Sequence, residues 1–186
     1  MEINKVALLR SKYGSFKTKL RILKFKVSGL KLGEKSVLGK IICDWPNGIT
    51  IGNHCVIEDN IVLKITKPFV KENVIKIGNR VFIGCGTQFN CNTQIIIDDD
   101  CLIASNTTFV DTGHEITLGI NINEQPLTVA PIKLEKDVWI GTGCIILKGV
   151  TIGEGSIVGA GSLVNKSIPP NQIWAGTPAK FMRNRI

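Results

Sequence analysis

Residues 134–164 read LEKDVWIGTGCIILKGVTIGEGSIVGAGSLV. Every sixth residue is aliphatic: Leu134, Ile140, Ile146, Ile152, Val158 and Val164. The residue four further on in each hexad is small or β-branched: Val138, Cys144, Val150, Ser156 and Ser162. Glycine follows the aliphatic at Gly141, Gly153 and Gly159. A helix repeats at 3.6 residues and a strand at 2, so neither sustains a period of six. Such hexads predict a parallel β-helix, a coil of short strands. The aliphatics point into a narrow shaft, the small residues fill the slot beside them, and glycine, Asn, Asp and Lys relieve the backbone at corners.

Working outward, the same ladder appears at Ile51, Ile57 and Leu63, at Ile77, Ile83 and Phe89, and at Ile97, Ile103 and Phe109. Fifteen hexads between Ile51 and Val164 make about five coils, roughly 24 Å of shaft at the spacing of neighbouring strands. Three breaks interrupt them. Residues 66–74 read as a loop, with Pro68 barring a central strand. Residues 90–96 hold a two-residue insertion. Residues 111–131 contain no hexad and are expected to project as a loop, the kind of segment that often carries function.

The chain divides into a basic N-terminal cap over 1–35, a β-helix over 36–168 and a tail over 169–186. Residues 1–40 carry eleven Lys/Arg and two Asp/Glu, a balance of +9; the other 146 residues carry twelve and thirteen, a balance of −1. Residues 1–14 have the spacing of a short helix, with Ile3, Val6, Ala7 and Arg10 on one face. Residues 17–27 alternate roughly between basic and apolar and read more like a strand. Two readings of this segment stand side by side: a cap over the open first coil, and a patch for anionic lipid or an anionic polymer. Nucleic acid is not expected as a partner, since the segment has few aromatics for base stacking and no recognisable binding motif. In the tail, Pro169 and Pro170 stop the coil, Gly176 and Pro178 make a turn, and the last residues read as a short basic helix.

Six cysteines are present without a CxxC pair. Cys55, Cys101 and Cys144 fall on the small inward slot, where a free thiol packs well. Cys85 and Cys91, two positions after inward residues, are expected on corners. Neither a disulfide framework nor a metal cluster is expected. No apolar run reaches the ~20 residues of a membrane span and no secretory signal is visible, so the expected location is cytoplasmic, with peripheral contact to the inner membrane through the basic segment.

Three passages resemble the bacterial hexapeptide-repeat acyltransferases: DDDCLIASNTTFVDTGH (98–114), VWIGTGCIILKGVTIGEGSIVGAGSLVNKSIPPN (138–171) and WAGTPAK (174–180). Their combination is similar to the branch that acetylates sugar and polysaccharide hydroxyls. The resemblance implies a left-handed coil, against the usual right-handed preference. It also implies a homotrimer with sites shared between neighbouring coils, acetyl-CoA as acyl donor, and no metal. The implied reaction is O-acetylation of a cell-surface glycan in polysaccharide biosynthesis, of capsule or O-antigen type. N-acetylation of an amino sugar nucleotide and a non-catalytic scaffold are the alternatives. A γ-type carbonic anhydrase on the same coil would need three zinc-binding histidines, and this chain has two.

The resemblance assigns residues as well. His114, in the projecting loop, is the implied base for the acceptor hydroxyl; a histidine titrates near neutrality and suits that task. Asp111 or Glu115 would hold the imidazole, with D-x-x-H favouring Asp111. The turn at Gly141–Thr142 would supply the oxyanion donor, and Trp139 a wall of the site. Gly159 and Ala160 would line the pantetheine groove, with Asn165, where many relatives carry threonine, beside it. Lys180 and Arg183 would meet the nucleotide phosphates, although an ordinary charged tail accounts for Arg183 equally well. Asn90 and Asn92 stand where the acceptor sugar is held, or are plain corner asparagines. His54, the other histidine, reads as an exposed turn residue.

Overall fold

The computed structural model describes residues 16–66 and 68–186. The helix expected over 1–14 lies outside these residues. Short parallel strands stack into three faces of a triangular prism. The first face contains Lys31–Leu32, Ile49–Ile51, Val74–Ile77, Gln94–Ile97, Ile132–Leu134 and Thr151–Ile152. The second contains Val37–Leu38, Val56–Ile57, Phe82–Ile83, Leu102–Ile103, Trp139–Ile140 and Ile157–Val158. The third contains Ile41–Cys43, Ile61–Ile65, Gln88–Cys91, Thr108–Val110, Ile145–Leu147 and Leu163–Val164. Parallel pairing begins at Lys31, which pairs with Thr50, five residues before Ser36, where the repeats were expected to start.

The inward ladder forms the core. Ile51, Ile57, Leu63, Ile77, Ile83, Phe89, Ile97, Ile103, Phe109 and the six aliphatics from Leu134 to Val164 are all at most 3% exposed. Phe89 and Phe109 stack in successive coils, centroids 4.7 Å apart. The slot residues do more than fill space. Ser156 Oγ donates to Pro169 O at 2.7 Å, Cys101 Sγ to Glu135 O at 3.1 Å, and Cys144 Sγ to Gly159 O at 3.2 Å. Each satisfies a corner carbonyl that the strand ladder leaves open. Burial pushes the Cys101 thiol up to about 12, so it stays protonated and able to donate.

A left-handed backbone position recurs three residues after the inward residue. His54, Asn60, Arg80, Asp100, Asn106 and Asp137 occupy it in the earlier coils, and Gly143, Gly149, Gly155 and Gly161 in the later ones. His54, with φ of 59°, is an exposed corner residue.

Three expectations are corrected. Residues Phe16–Val27 form a helix, α1, not a strand. Ile22 and Phe25, three apart, pack against the core, and Arg21 Nη2 donates to Leu38 O at 3.2 Å and Gly39 O at 3.0 Å. The segment therefore lies on the open first coil, where a helical spacing serves both the apolar contact and the free carbonyls. At the other end, the tail forms no helix: Ala179–Asn184 pairs antiparallel with Gln172–Gly176 and extends the second face. Trp174, partly buried, packs against the end of the core. Finally, Cys91 is fully buried rather than on a corner. The two-residue lengthening extends the strand past Phe89, and period two then turns Cys91 inward as well.

The corners are unequal. Residues 44–48, 66–73, 92–93 and 111–131 all connect the third face to the first, so every irregularity stacks on one edge. The edge between the second and third faces, which includes 104–107, 141–144 and 159–162, stays tight throughout.

Candidate functional site

The projecting segment is a hairpin. Thr112–His114 pairs antiparallel with Leu127–Val129, and a 3-10 turn at Ile122–Glu124 closes the tip. Gln125, 8% exposed, organises that tip: its Oε1 accepts from Thr117 N at 2.7 Å, and its Nε2 donates to Thr117 O at 3.1 Å and Ile120 O at 2.9 Å. Lys148 Nζ, from the same edge one coil on, donates to Thr128 Oγ1 and props the hairpin's root. Neither residue was singled out in the sequence. The register does place Lys148 on the edge that bears the loop. His114 is exposed on the first hairpin strand, paired with Leu127.

Asp111 is fully buried, and its carboxylate is already engaged. Asn92 N donates to Oδ1 at 2.7 Å and Thr93 N to Oδ2 at 2.8 Å. Burial raises its pKa, and the two backbone donors pull the other way. The expected Asp111–His114 pairing is therefore corrected: Asp111 ties the hairpin's root to the preceding coil, and no carboxylate bonds His114 among the described residues. Glu115 is exposed, with its backbone N–H on Pro126 O at 3.1 Å. Asn90 sits half-buried on the third face beside Val110. Asn92 is 8% exposed, and its Oδ1 is buried without a hydrogen-bond partner. Such an atom costs free energy until a donor reaches it.

The other expected residues lie elsewhere. Trp139 points outward from the second face, 51% exposed, between Leu102 and Ile157. Gly141 is needed for packing: a Cβ there would meet Ala160 N at 2.5 Å. Its N–H already donates to Val158 O at 2.8 Å, so it is not the free oxyanion donor that was expected. Thr142 N has no acceptor among the described residues, while Gly143 N beside it is bonded to Ser105 O at 3.0 Å. Gly159 does not open a groove; a Cβ there would meet Ala175 Cβ at 2.8 Å, so the tail strand uses that space. Ala160 is exposed on the same edge. Asn165 and Lys180 come together with Lys166, Trp174 and Phe181 around a pocket of about 350 Å³ at the coil's C-terminal end. Arg183 lies further along the last strand, opposite Ile173.

One chain therefore collects Asn92, Asp111 and the hairpin bearing His114 on the third-to-first edge, with Asn90 beside it on the third face. It holds Thr142 and Ala160 on the second-to-third edge. Among the described residues no cluster of His, Cys, Asp or Glu could hold a metal ion.

A prism of hexads with one hairpin-bearing edge defines the class, and the comparisons agree with it. Residues 131–166 match the family described as bacterial transferase hexapeptide (six repeats). Galactoside O-acetyltransferase of Escherichia coli (strain K12) is 39% identical over 112 residues, covering 57% of this chain and 55% of that protein. The Lactococcus lactis galactoside O-acetyltransferase is 34% identical over 117 residues, covering 57% of this chain and 54% of that one. The chain thus spans about half the length of these relatives. Among solved structures, the Vibrio cholerae hexapeptide-repeat acetyltransferase VCA0836 in complex with acetyl coenzyme A superposes with a TM-score of 0.66 at 27% identity, covering 98% of this chain and 90% of that one. A mutant of AntD, an N-acyltransferase from Bacillus cereus in complex with dTDP-4-amino-4,6-dideoxyglucose and coenzyme A, gives 0.76 at 26% identity, covering 90% and 89%. Residues 131–166 carry the hexapeptide repeat of that family, and the coil has the left-handed parallel β-helix fold of these solved neighbours.

Proposed function

We propose that this protein transfers an acetyl group from acetyl-CoA to a sugar hydroxyl of a cell-surface glycan. The observation that carries the reading is His114, an exposed imidazole held by a braced hairpin on an edge whose buried Asn92 Oδ1 lacks a donor. His114 takes the hydroxyl proton as the oxygen attacks the thioester carbonyl. The new C–O bond forms and the C–S bond breaks. The proton passes from the imidazole to the departing thiolate. Thr142 N–H donates to the oxygen that gains charge. Lys166 and Lys180, at the C-terminal pocket, offer cations for the phosphates of the donor substrate, with Asn165 and Trp174 as walls. An amide N–H free of a partner and two lysines at one pocket fit that substrate.

The base and the donor groups stand on different edges of one prism, so we place each site between two copies in a homotrimer. The outward rows support this. Leu102, Trp139 and Ile157 run down the second face and Ile145 lies on the third, flanking the edge that bears Thr142. The first face instead shows Thr50, Lys76, Lys133 and Thr151 outward, with Ile96 as the one apolar residue in that row. The hairpin tip adds exposed Ile116, Leu118 and Ile122 for the neighbour to cover.

Trp45 and Phe69, edge to face with centroids 5.1 Å apart, stand on the hairpin's edge in the first coils. Aromatic surface along that edge supports a glycan chain rather than a free disaccharide as acceptor. A second reading, an amine acceptor on a nucleotide sugar, is favoured by the near-complete overlap with AntD. Thiol release from acetyl-CoA with glycan acceptors tests the activity, and hydroxylamine, which cleaves acetyl esters but not amides, separates the two readings. His114→Ala is expected to lower kcat about 10²–10⁴-fold. A variant as fast as the parent would remove His114 from the mechanism.

A further inference from the structure

Helix α1 has two apolar faces. Ile22 and Phe25 occupy the face on the coil. Leu20, Leu23 and Val27 form a second stripe, at i, i+3 and i+7, and are 57%, 57% and 81% exposed. With Arg21, Lys24 and Ser28 they line an open groove of about 640 Å³. Exposed Lys19, Lys24 and Lys26 flank the stripe, and the 12 residues of α1 carry no acidic group. This is the centre of the segment that holds the chain's excess positive charge.

A partner for this surface must be apolar at its middle and anionic at its rim. A second copy of the chain carries one run of three acidic residues among those described. Its acidic corner, Asp98–Asp100, is already paired with Arg80 and Lys133. No helix among the described residues is long and apolar enough to cross a membrane, and the lysines beside the apolar stripe of α1 suit a place in the interface. We infer that α1 seats the N-terminal end of the prism on an anionic phospholipid surface. Leu20, Leu23 and Val27 enter the boundary of the acyl chains, and Lys19, Lys24 and Lys26 meet the head groups. Arg21, bonded to Leu38 O and Gly39 O, fixes the helix to the coil and so orients the prism on the lipid. This inference does not depend on the acetyl-transfer reading.

The test is sedimentation of the full chain with vesicles of phosphatidylcholine alone and of phosphatidylcholine with about one-third phosphatidylglycerol. The parent is expected to pellet with the anionic vesicles only, and less at high salt. Lys19→Glu, Lys24→Glu and Lys26→Glu together, and separately Leu20→Ser, Leu23→Ser and Val27→Ser together, are each expected to weaken binding at least about tenfold, with circular dichroism and native mass unchanged. A parent that stays in the supernatant would overturn the inference. So would a serine variant that binds like the parent, because another segment would then do the docking. A serine variant of altered native mass would assign the stripe to a contact between copies. Parent binding to dextran sulfate as tight as to the vesicles, and unchanged in the serine variant, would assign it to an anionic polymer.

Discussion

Gly141 and Gly143 stand two residues apart on one corner and are glycine for different reasons. A Cβ on Gly141 would press on the backbone of the next coil at 2.5 Å, whereas one on Gly143 meets nothing within 4 Å but sits at φ of 70°. Gly141→Ala is therefore expected to destabilise by about 1–3 kcal/mol or more, since backbone cannot move aside cheaply. Gly143→Ala should cost only the left-handed strain, about 1–2 kcal/mol. Chemical denaturation of the two variants checks the order. Asp111 makes a prediction with pH. Its folded pKa lies above the unfolded value, so the native state binds the proton more tightly. Stability carried by this group thus rises as pH falls through the folded pKa, and levels off below the unfolded value near 3.9. Asp111→Asn cannot titrate, and it loses a backbone acceptor. The gap in stability between parent and variant should widen in the parent's favour as pH is lowered towards 4. A constant gap from pH 7 to 4 would contradict the assigned shift. The resemblance left Asp111 and Glu115 open as the carboxylate beside His114 and favoured Asp111, and the structure shows Asp111 engaged elsewhere. The D-x-x-H spacing brings His114 close along the chain, while the contact that engages the carboxylate comes from Asn92 and Thr93, a full coil earlier.

Among the elements, the hairpin over 112–129 is the one whose shape rests on few contacts. It projects from the prism, and one side chain, Gln125, holds its tip through three backbone bonds. Replacing Gln125 with Ala should free Thr117 N for rapid hydrogen exchange while the coil amides keep their protection. The melting temperature should move little, because the core makes no use of the tip. If the tip places neighbouring surfaces for the acceptor, kcat/KM falls with it. Loss of coil protection in the variant would show that the hairpin folds with the prism as one unit. The regular strands were legible in the sequence because every inward position faces the same narrow shaft, so a local period of six carries the information. The elements at the two ends were not. Alternation over 17–27 reads as a strand, but the open coil below supplies Leu38 O and Gly39 O to Arg21 and an apolar seat for Ile22 and Phe25, and these favour a helix. The basic tail has a helical look from residue 179 on, yet the last strand of the second face offers an edge, and Ala179–Asn184 completes a hairpin there.

At the scale of the whole molecule, the prism sorts its surfaces. One edge gathers every insertion, the opposite tight edge keeps Thr142 N and Ala160, and apolar rows flank the latter. The resemblance pointed to the WIGT turn for the proposed oxyanion donor; of its two residues Gly141 N donates to Val158 O, and Thr142 N has no acceptor among the described residues. In the proposed function neither edge is a complete site, and a neighbouring copy joins them. Complementation measures this directly. His114→Ala removes the base, and Ala160→Trp, at an exposed corner, blocks the donor edge. Each variant alone should release thiol from acetyl-CoA at least about 10²-fold more slowly than the parent in the presence of a glycan acceptor. When the two are unfolded together and refolded as mixed oligomers, activity should return, because some sites then pair an intact His114 from one copy with an intact donor edge from another. A mixture as inactive as its parents, with mixed oligomers shown to be present, would place the whole site within one chain and contradict the shared-site account.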